Sequence, residues 1–226
     1  MRVTPRAQQV FHSKARSTGN EMAPGETLPP DFLDHLRRLE DAYCSESDPI
    51  RQSGFSGGPL RWREEREPIL DAVDEDGDFL DIGCANGYLL ECLVMWAEER
   101  GYHITPHGLD FGPRLIRMAR EHFPHLSQNF HVGNAWDWQP PRKYHYVYSL
   151  RDCVPEAYFA EYVRRLLDRA VERGGKLIVG MYGSRSQNIQ PINLGELMTS
   201  LGFAVDGTAY GGDPPASAFA WIALPQ

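Results

Sequence analysis

The spacing of apolar residues changes along the chain, and this change separates predicted strands from predicted helices. A short apolar run at residues 79–82 has the length and composition of a buried strand. Beyond it, apolar residues return with the spacing of one helix face, at Leu89, Leu90, Leu93, Val94 and Ala97. A turn punctuated by glycine separates the two patterns. The sequence therefore predicts a strand, a tight turn and a helix here.

The same alternation continues to the end of the chain. Further strands are predicted at residues 103–109, 129–132, 144–150, 176–181, 203–210 and 219–224. Helices are predicted at residues 112–123, at 155–173 with Gly174-Gly175 as the stop, and at 194–201. Helices between the first five strands indicate a doubly wound parallel sheet, and the helix-free link between the last two indicates an antiparallel hairpin. The predicted fold class is α/β with a seven-stranded, mostly parallel sheet.

The first third of the chain follows a different pattern. Residues 1–30 mix small, polar and charged residues without either period, which predicts a loosely ordered tail. A helix capped by Asp31 is predicted next, then a glycine-rich loop at residues 47–59 and a helix at 61–73. An ordered loop of that length is often functional. The predicted organisation is a tail at 1–30, a helical lid at 31–64 and a core at 65–226.

The composition and net charge of the chain limit the classes of function that it could have. A chain of 226 residues with 42% hydrophobic residues can bury one substantial core. The formal net charge of -8 argues against a nucleic-acid substrate and favours a small molecule. The four cysteines form no C-x-x-C pair, so neither a zinc site nor a disulfide framework is indicated. No apolar run has the length of a membrane span or the form of a signal peptide, which leads us to expect a cytoplasmic protein.

The turn after the first strand reads Asp-Ile-Gly-Cys-Ala-Asn-Gly at residues 81–87. Gly83 and Gly87, with only the methyl group of Ala85 between them, allow the backbone to approach a ligand and to direct helix N-terminal N–H groups at it. A nucleotide is the expected ligand. The dinucleotide pattern G-x-G-x-x-G has two residues between its second and third small positions, whereas this turn has one.

The order acidic-x-Gly-x-Ala-x-Gly resembles motif I of the class I S-adenosylmethionine (SAM) dependent methyltransferases, whose usual form is D/E-x-G-x-G-x-G. Ala85 stands where that motif has its middle glycine. The predicted layout of residues 65–224 is also similar to the core of that family. The resemblance implies SAM as cofactor and a small organic methyl acceptor. Methyl transfer depends mainly on alignment and needs a base only when the acceptor must lose a proton.

The resemblance also implies a set of cofactor-binding residues. From the first turn it implies Asp81, Gly83, Cys84, Ala85, Gly87 and Tyr88. Asp110, about twenty residues beyond the glycine turn, is placed to accept hydrogen bonds from the ribose hydroxyls; capping the following helix is its alternative role. The adenine is expected at Phe111, Asn134 and Ala135, although asparagine is also a common turn residue. Leu150 is expected to present its backbone beside the sulfonium.

Residues on the acceptor side follow the fourth and fifth strands. Arg151, Asp152, Tyr182 and Arg185 lie beyond the carboxyl ends of these strands, where ligands bind in such sheets. Asp152 is the candidate general base, with helix capping as its alternative. Arg61, just before the predicted core, is a candidate partner for the methionyl carboxylate of SAM, with a solvated helix start as its alternative.

Three other functions remain in competition with methyl transfer to a small molecule. An NAD(P)-dependent oxidoreductase shares the fold logic but requires the G-x-G-x-x-G spacing that is missing here. A non-catalytic module that binds SAM or a protein partner would have the same turn and would differ in the space beside the sulfonium. Methylation of protein or RNA is disfavoured by the acidic balance.

Overall fold

A computed structural model describes residues 27–184 and 189–226. Its strands are β1 (Gly77–Ile82), β2 (Ile104–Asp110), β3 (Phe130–Val132), β4 (Tyr144–Leu150), β5 (Val171–Tyr182), β6 (Gly207–Gly211) and β7 (Ser217–Ala223). Its helices are α1 (Pro30–Cys44), α2 (Pro59–Glu64), α3 (Tyr88–Glu99), α4 (Pro113–His122), α5 (Phe159–Arg169) and α6 (Leu194–Ser200). Short 3-10 turns include Arg51–Ser53, Glu67–Ala72 and Arg151–Cys153.

The seven strands form one sheet in the order β3-β2-β1-β4-β5-β7-β6. Strands β1 to β5 are parallel, and β7 runs antiparallel between β5 and β6. The predicted fold class is therefore confirmed. β2 and β3 lie on one side of β1 while β4 and β5 lie on the other, so the strand order reverses between β1 and β4. In sheets of this kind the ligand crevice lies at the carboxyl ends of the strands at that point, and we refer to this place as the crevice.

Alternating side chains of the central strands divide the core into two layers. Phe79 and Tyr148 face a layer that includes residues of α3, α4 and the 3-10 turn at Glu67–Ala72. Leu80 and Val147 face the opposite layer, which includes residues of α5 and α6. This division follows from the two-residue period of a strand. The sheet is thus buried on both faces, as the continuous apolar runs indicated.

Predicted boundaries in the second half of the chain are wrong at three places, one of which is the start of the fifth strand, at Val171 instead of Lys176. The helix expected to reach Gly174-Gly175 ends at Arg169, because Val171 already pairs with Tyr144 as the start of β5. Gly174 lies inside that strand with a φ of 79°. The strand expected from residue 203 begins only at Gly207. In each case pairing with a neighbouring strand, which sequence spacing does not report, sets the boundary.

The first third of the described chain also differs from expectation. The N-cap of α1 is Pro29, which has no side chain to cap with, and Asp31 lies in the first turn without acting as the cap. The helix expected at 61–73 is divided into α2 and a 3-10 turn, because Pro68 has no N–H to continue the hydrogen-bond series. Leu28 and Trp62 are buried in the core, so parts of the predicted tail and lid pack against it.

Tyr146 fastens the segment before β1 to the sheet, and this contact gives a stability prediction. Its hydroxyl oxygen accepts hydrogen bonds from the backbone N–H groups of Asp74 (3.2 Å) and Glu75 (3.1 Å). We expect Tyr146→Phe to lower the free energy of unfolding by about 1–3 kcal/mol, because those N–H groups lose their acceptor. Urea unfolding measures the change. The exposed Tyr210 provides the control: Tyr210→Phe should shift stability by less than about 0.5 kcal/mol, and equal effects would contradict the assignment.

Candidate functional site

The turn between β1 and α3 has a backbone that glycine permits. Gly83 and Gly87 have φ values of 91° and 79°, in the left-handed region. A Cβ at Gly87 would lie 2.9 Å from the Cβ of Ala119 in α4, and one at Gly83 would lie 3.0 Å from the Sγ of Cys153. Both glycines are therefore required for conformation and for space.

Ala85 has the conformation that the middle glycine of the motif would provide. Its φ is 47°, and it is the one described non-glycine residue with a positive φ. The left-handed region costs an alanine about 1–2 kcal/mol. Its N–H group donates a hydrogen bond of 2.9 Å to Oδ2 of Asp110, which helps to hold this conformation. The departure from the usual motif is thus accommodated without a change in the path of the turn.

Asp110 lies at the carboxyl end of β2 and forms hydrogen bonds with two segments, the glycine turn and the residues just before α4. Oδ2 accepts from Ala85, and Oδ1 accepts the N–H of Gly112 at 2.8 Å. α4 begins at Pro113 after Gly112 and has no side-chain cap, so the second bond closes a turn just before the helix and is not the cap that was the alternative role of Asp110. Burial raises the pKa of Asp110 to about 6, opposed by these two N–H groups. A carboxylate has about four acceptor sites, so the two oxygens retain capacity for ligand hydroxyls.

Asp81 is a second carboxylate at this edge of the sheet. It ends the run of β1, and its relative exposure is 2%. Burial and, as the smaller cause, the negative charge of Asp110 together raise the pKa of Asp81 to about 8. Two interacting carboxyl groups in a largely apolar crevice favour a cationic or hydrogen-bond-donating ligand there.

The acceptor side of the crevice contains Asp152. Its side chain retains exposed surface, yet desolvation by its surroundings raises the pKa of its carboxyl, as expected for a group in a concavity. His35 and Tyr43 of α1 interact electrostatically with it, so α1 covers this side. The expected alternative, a cap for the next helix, is not found, because α5 begins at Phe159 after Tyr158 and has no side-chain cap.

The other predicted acceptor residues are placed differently. Arg151 pairs with Glu156 at 2.9 Å, which directs its guanidinium towards the start of α5. The hydroxyl of Tyr182 lies 3.0 Å from that of Tyr148, beneath the crevice. Arg185 lies outside the described residues. Their roles towards an acceptor stay predictions.

The predicted adenine residues lie beyond β2 and β3. Oδ1 of Asn134 accepts the N–H of Trp136 at 3.0 Å, so this asparagine shapes the turn through one of its two polar groups. Ala135 follows it in the same turn and packs against the core. Phe111 lies 5.9 Å from the guanidinium carbon of Arg37 in α1, which places the covering helix next to its ring.

Three arginines lie close together at residues 61–66, and they differ in their partners. Arg61 forms an ion pair with Glu65 at 2.8 Å, and Arg63 forms one with Glu67 at 2.7 Å. Both pairs join residues four apart, the usual spacing on a helix surface. The predicted ligand role of Arg61 therefore competes with an internal partner.

Arg66, which sequence reasoning missed, is the buried arginine of this group, with a relative exposure of 5%. Its guanidinium carbon lies 3.9 Å from the ring centroid of Trp62, 4.2 Å from that of Phe55 and 4.4 Å from that of Tyr182. Among the described residues, its Nη1 is buried without a hydrogen-bond partner. The signal was present in the sequence: four residues after Arg66 stands Leu70, so no acid is available at helical spacing.

No protein-family model matches the chain, and no curated protein sequence matches it either. Solved structures do. A SAM-dependent methyltransferase from Aquifex aeolicus is similar with a TM-score of 0.54 and 15% identity over 78% of this chain and 98% of that one. The complex of DhpI with S-adenosylhomocysteine (SAH) gives a TM-score of 0.52 and 17% identity over 87% and 95%. The chain has the class I methyltransferase fold.

The class I methyltransferase fold is not confined to one chemistry. The [4+2]-cyclase SpnF is also similar to this chain, with a TM-score of 0.57 and 13% identity over 86% of this chain and 95% of that one. Within residues 27–184 and 189–226, no helix is long and apolar enough to cross a membrane. The same residues contain no group of three or more His, Cys, Asp or Glu arranged to hold a metal. The function must therefore be argued from the crevice.

The buried Asp81 gives a prediction for stability against pH. Because its pKa is raised from 3.8 to about 8, the folded state binds more protons than the unfolded state between these values, and the free energy of unfolding falls as the pH rises through this window. Asp81→Asn removes this loss of stability at high pH, because an amide side chain does not titrate. At pH 8 the variant should be more stable than the wild type by more than about 1 kcal/mol, the equivalent of roughly one pKa unit.

Urea unfolding between pH 5 and pH 9 measures this difference, with Asp137→Asn at an exposed position as the control. The control should follow the wild type throughout. A stability difference between Asp81→Asn and wild type that does not change with pH would contradict the burial argument.

Proposed function

We propose that this protein is a SAM-dependent methyltransferase that acts on a small organic acceptor, with its site in the crevice above β1, β2 and β4. The observation that carries the proposal is the combination of the glycine turn with two carboxylates, the buried Asp81 and the half-buried Asp110. The acidic balance of the chain favours a small acceptor over nucleic acid. The likeness in fold supports the same reaction class.

The residues present fit the cofactor. SAM would be held by the turn through Asp81, Gly83, Cys84, Ala85, Gly87 and Tyr88, and beyond it by Asp110, Phe111, Asn134, Ala135 and Leu150. Asp110 accepts from the ribose hydroxyls with the lone pairs that Ala85 and Gly112 leave open. Asp81 is suited to a cationic methionyl group, because a positive partner relieves the desolvation of its charge.

Arg66 is the best candidate for the methionyl carboxylate, in preference to Arg61. It is buried beside the ring of Tyr182 at the end of β5, and its Nη1 lacks a partner among the described residues. The aromatic rings around it hold the guanidinium in place. A buried cation of this kind gains most from an anionic ligand, because a charge-assisted hydrogen bond replaces an unsatisfied donor.

SAM supplies a methyl group that its sulfonium has already activated. The protein then has to align the acceptor and exclude water, and it has to remove a proton if the acceptor carries one. Desolvation raises the pKa of Asp152, which makes its carboxylate a stronger base than a solvated aspartate. Tyr43 stays protonated beside it, because burial and the nearby acids raise the pKa of its phenol.

The Arg66 assignment can be tested with a matched pair of ligands. We expect Arg66→Met to weaken the binding of SAH by about tenfold or more, the equivalent of roughly 1.5–3 kcal/mol for a charged hydrogen bond. The binding of 5′-methylthioadenosine, which lacks the amino-acid part, should stay unchanged and shows that the variant is folded. Calorimetry measures both. Arg61→Met is the control variant, and a larger loss of SAH affinity in that variant would return the role to Arg61.

Methyl transfer itself is tested with tritiated SAM and fractionated metabolite extracts. The label should enter small molecules rather than macromolecules. On the acceptor so found, Asp152→Asn should lower turnover by about 10²–10⁴-fold if the carboxylate is the base. The affinity for SAH and the melting temperature should stay those of the wild type, because Asp152 caps no helix. Normal turnover in Asp152→Asn would leave positioning as the whole contribution of the protein.

A further inference from the structure

Asn86 lies within the glycine turn, and its relative exposure is 0%. Its Oδ1 accepts the N–H of Tyr88 at 3.2 Å, a contact internal to the turn. Its Nδ2 donates to the carbonyl oxygen of Pro49 at 3.0 Å and to Oε1 of Gln52 at 3.1 Å. The donor side of this amide is therefore directed entirely at a segment more than thirty residues earlier in the chain.

We call α1 together with residues 45–55 the cover. Within the cover, Gln52 passes the connection on, because its Nε2 donates to the carbonyl oxygen of Glu46 at 2.9 Å, two residues beyond the end of α1. Tyr43, in the last turn of α1, projects over Gly54, where any side chain would collide with its hydroxyl. Because the N–H of Glu46 donates to the carbonyl oxygen of Tyr43 at 3.1 Å, a series of hydrogen bonds leads from the glycine turn to the last turn of α1.

The cover has a second attachment on the other side of the crevice. Glu40 of α1 is buried, and its Oε1 accepts the N–H of Arg114 at 2.8 Å in the first turn of α4. That turn begins three residues after Asp110, and the negative charge of Glu40 contributes to the raised pKa of Asp110. The cover is therefore joined to the two segments that flank the crevice, by Asn86 at one and by Glu40 at the other.

We propose that Asn86 is a positioning residue that holds the cover against the glycine turn, so that α1 stays over the crevice during the reaction, where Arg37 lies at Phe111 and Glu40 accepts from Arg114. The proposal rests on the proposed function for what the crevice holds. The burial of the amide gives the physical reason. Opening of the cover removes both acceptors of Nδ2 at once, and a buried donor without a partner is costly, so the closed arrangement is favoured until water can reach Asn86.

The first test needs no cofactor. Asn86→Ser retains an oxygen for the N–H of Tyr88 but is too short to reach residues 49 and 52, and Gln52→Ala cuts the same connection from the cover. Hydrogen exchange reports on the amides of Gln52, Ser53 and Gly54, which bond within the cover. We expect each variant to accelerate their exchange by about tenfold or more, with exchange in β4 unchanged. The double variant should show no further acceleration, because both changes remove one connection.

Unchanged exchange of these amides in Asn86→Ser and Gln52→Ala would overturn the proposal and leave Asn86 as a residue that only shapes its turn. If Asn86→Ser does not fold, Gln52→Ala alone decides, since it lies outside the turn. Cleavage by trypsin after the exposed Arg51 gives an independent measure of the same opening.

The second test uses the cofactor and separates this proposal from the proposed function. At saturating SAM, Gln52→Ala should lower turnover by about tenfold, whereas its affinity for SAH should change by less than about threefold, because a loosened cover misaligns the acceptor side. Wild-type turnover in this variant would overturn the positioning role. A wild-type protein that binds no SAH would overturn the proposed function, whereas the exchange result would still decide whether Asn86 holds the cover.

Discussion

Two carboxyl groups, the buried Asp81 and the half-buried Asp110, lie at neighbouring strand ends, and the rest of the site is arranged around the cost of their desolvation. Desolvation raises the pKa of each, and the charge of Asp110 adds to the rise in the pKa of Asp81. Asp110 is partly compensated by two backbone N–H groups. No hydrogen bond to another described residue offsets the burial of Asp81 in the same way. An arrangement of this kind is retained where a ligand completes it.

The same constraint explains the backbone of the turn. The N–H of Ala85 can reach Asp110 only if the turn closes tightly, and this places a non-glycine residue at a positive φ. Gly87 must then pack against Ala119 without a side chain of its own. Strain at a residue whose N–H binds a half-buried carboxylate is typical of a functional site, where the surroundings hold a conformation that the residue alone would avoid.

Much of the fold could be predicted because it depends on local pattern. The bounds of β4 were those expected, and the strand, turn and helix around Gly83 and Gly87 follow from apolar spacing and glycine placement. The start of β5 could not be predicted, because it is set by pairing with Tyr144. The position of α1 over the crevice could not be predicted from the sequence either. It depends on contacts such as that of Glu40 with α4, which joins residues 74 positions apart.

Prediction of the candidate site met the same limit. Residues that follow a strand end, such as Asp110 and Asp152, could be found by counting along the chain, and their surroundings agree with a ligand-binding role that awaits test. Arg66 was missed because its importance lies in three aromatic rings from separate segments. The absence of an acid four residues later was the available signal. A buried arginine is thus better recognised by the lack of an acidic residue three or four positions away than by its distance along the chain from the glycine turn.

The central claim is that the crevice is built for SAM and not for a dinucleotide, and direct binding to the wild-type chain tests it most simply. Isothermal titration with SAH, and separately with NAD, compares the two ligands under one set of conditions. The account predicts that SAH binds one molecule per chain and that NAD produces no measurable heat. Binding of NAD with an affinity equal to or greater than that of SAH, or no binding of SAH, would contradict it.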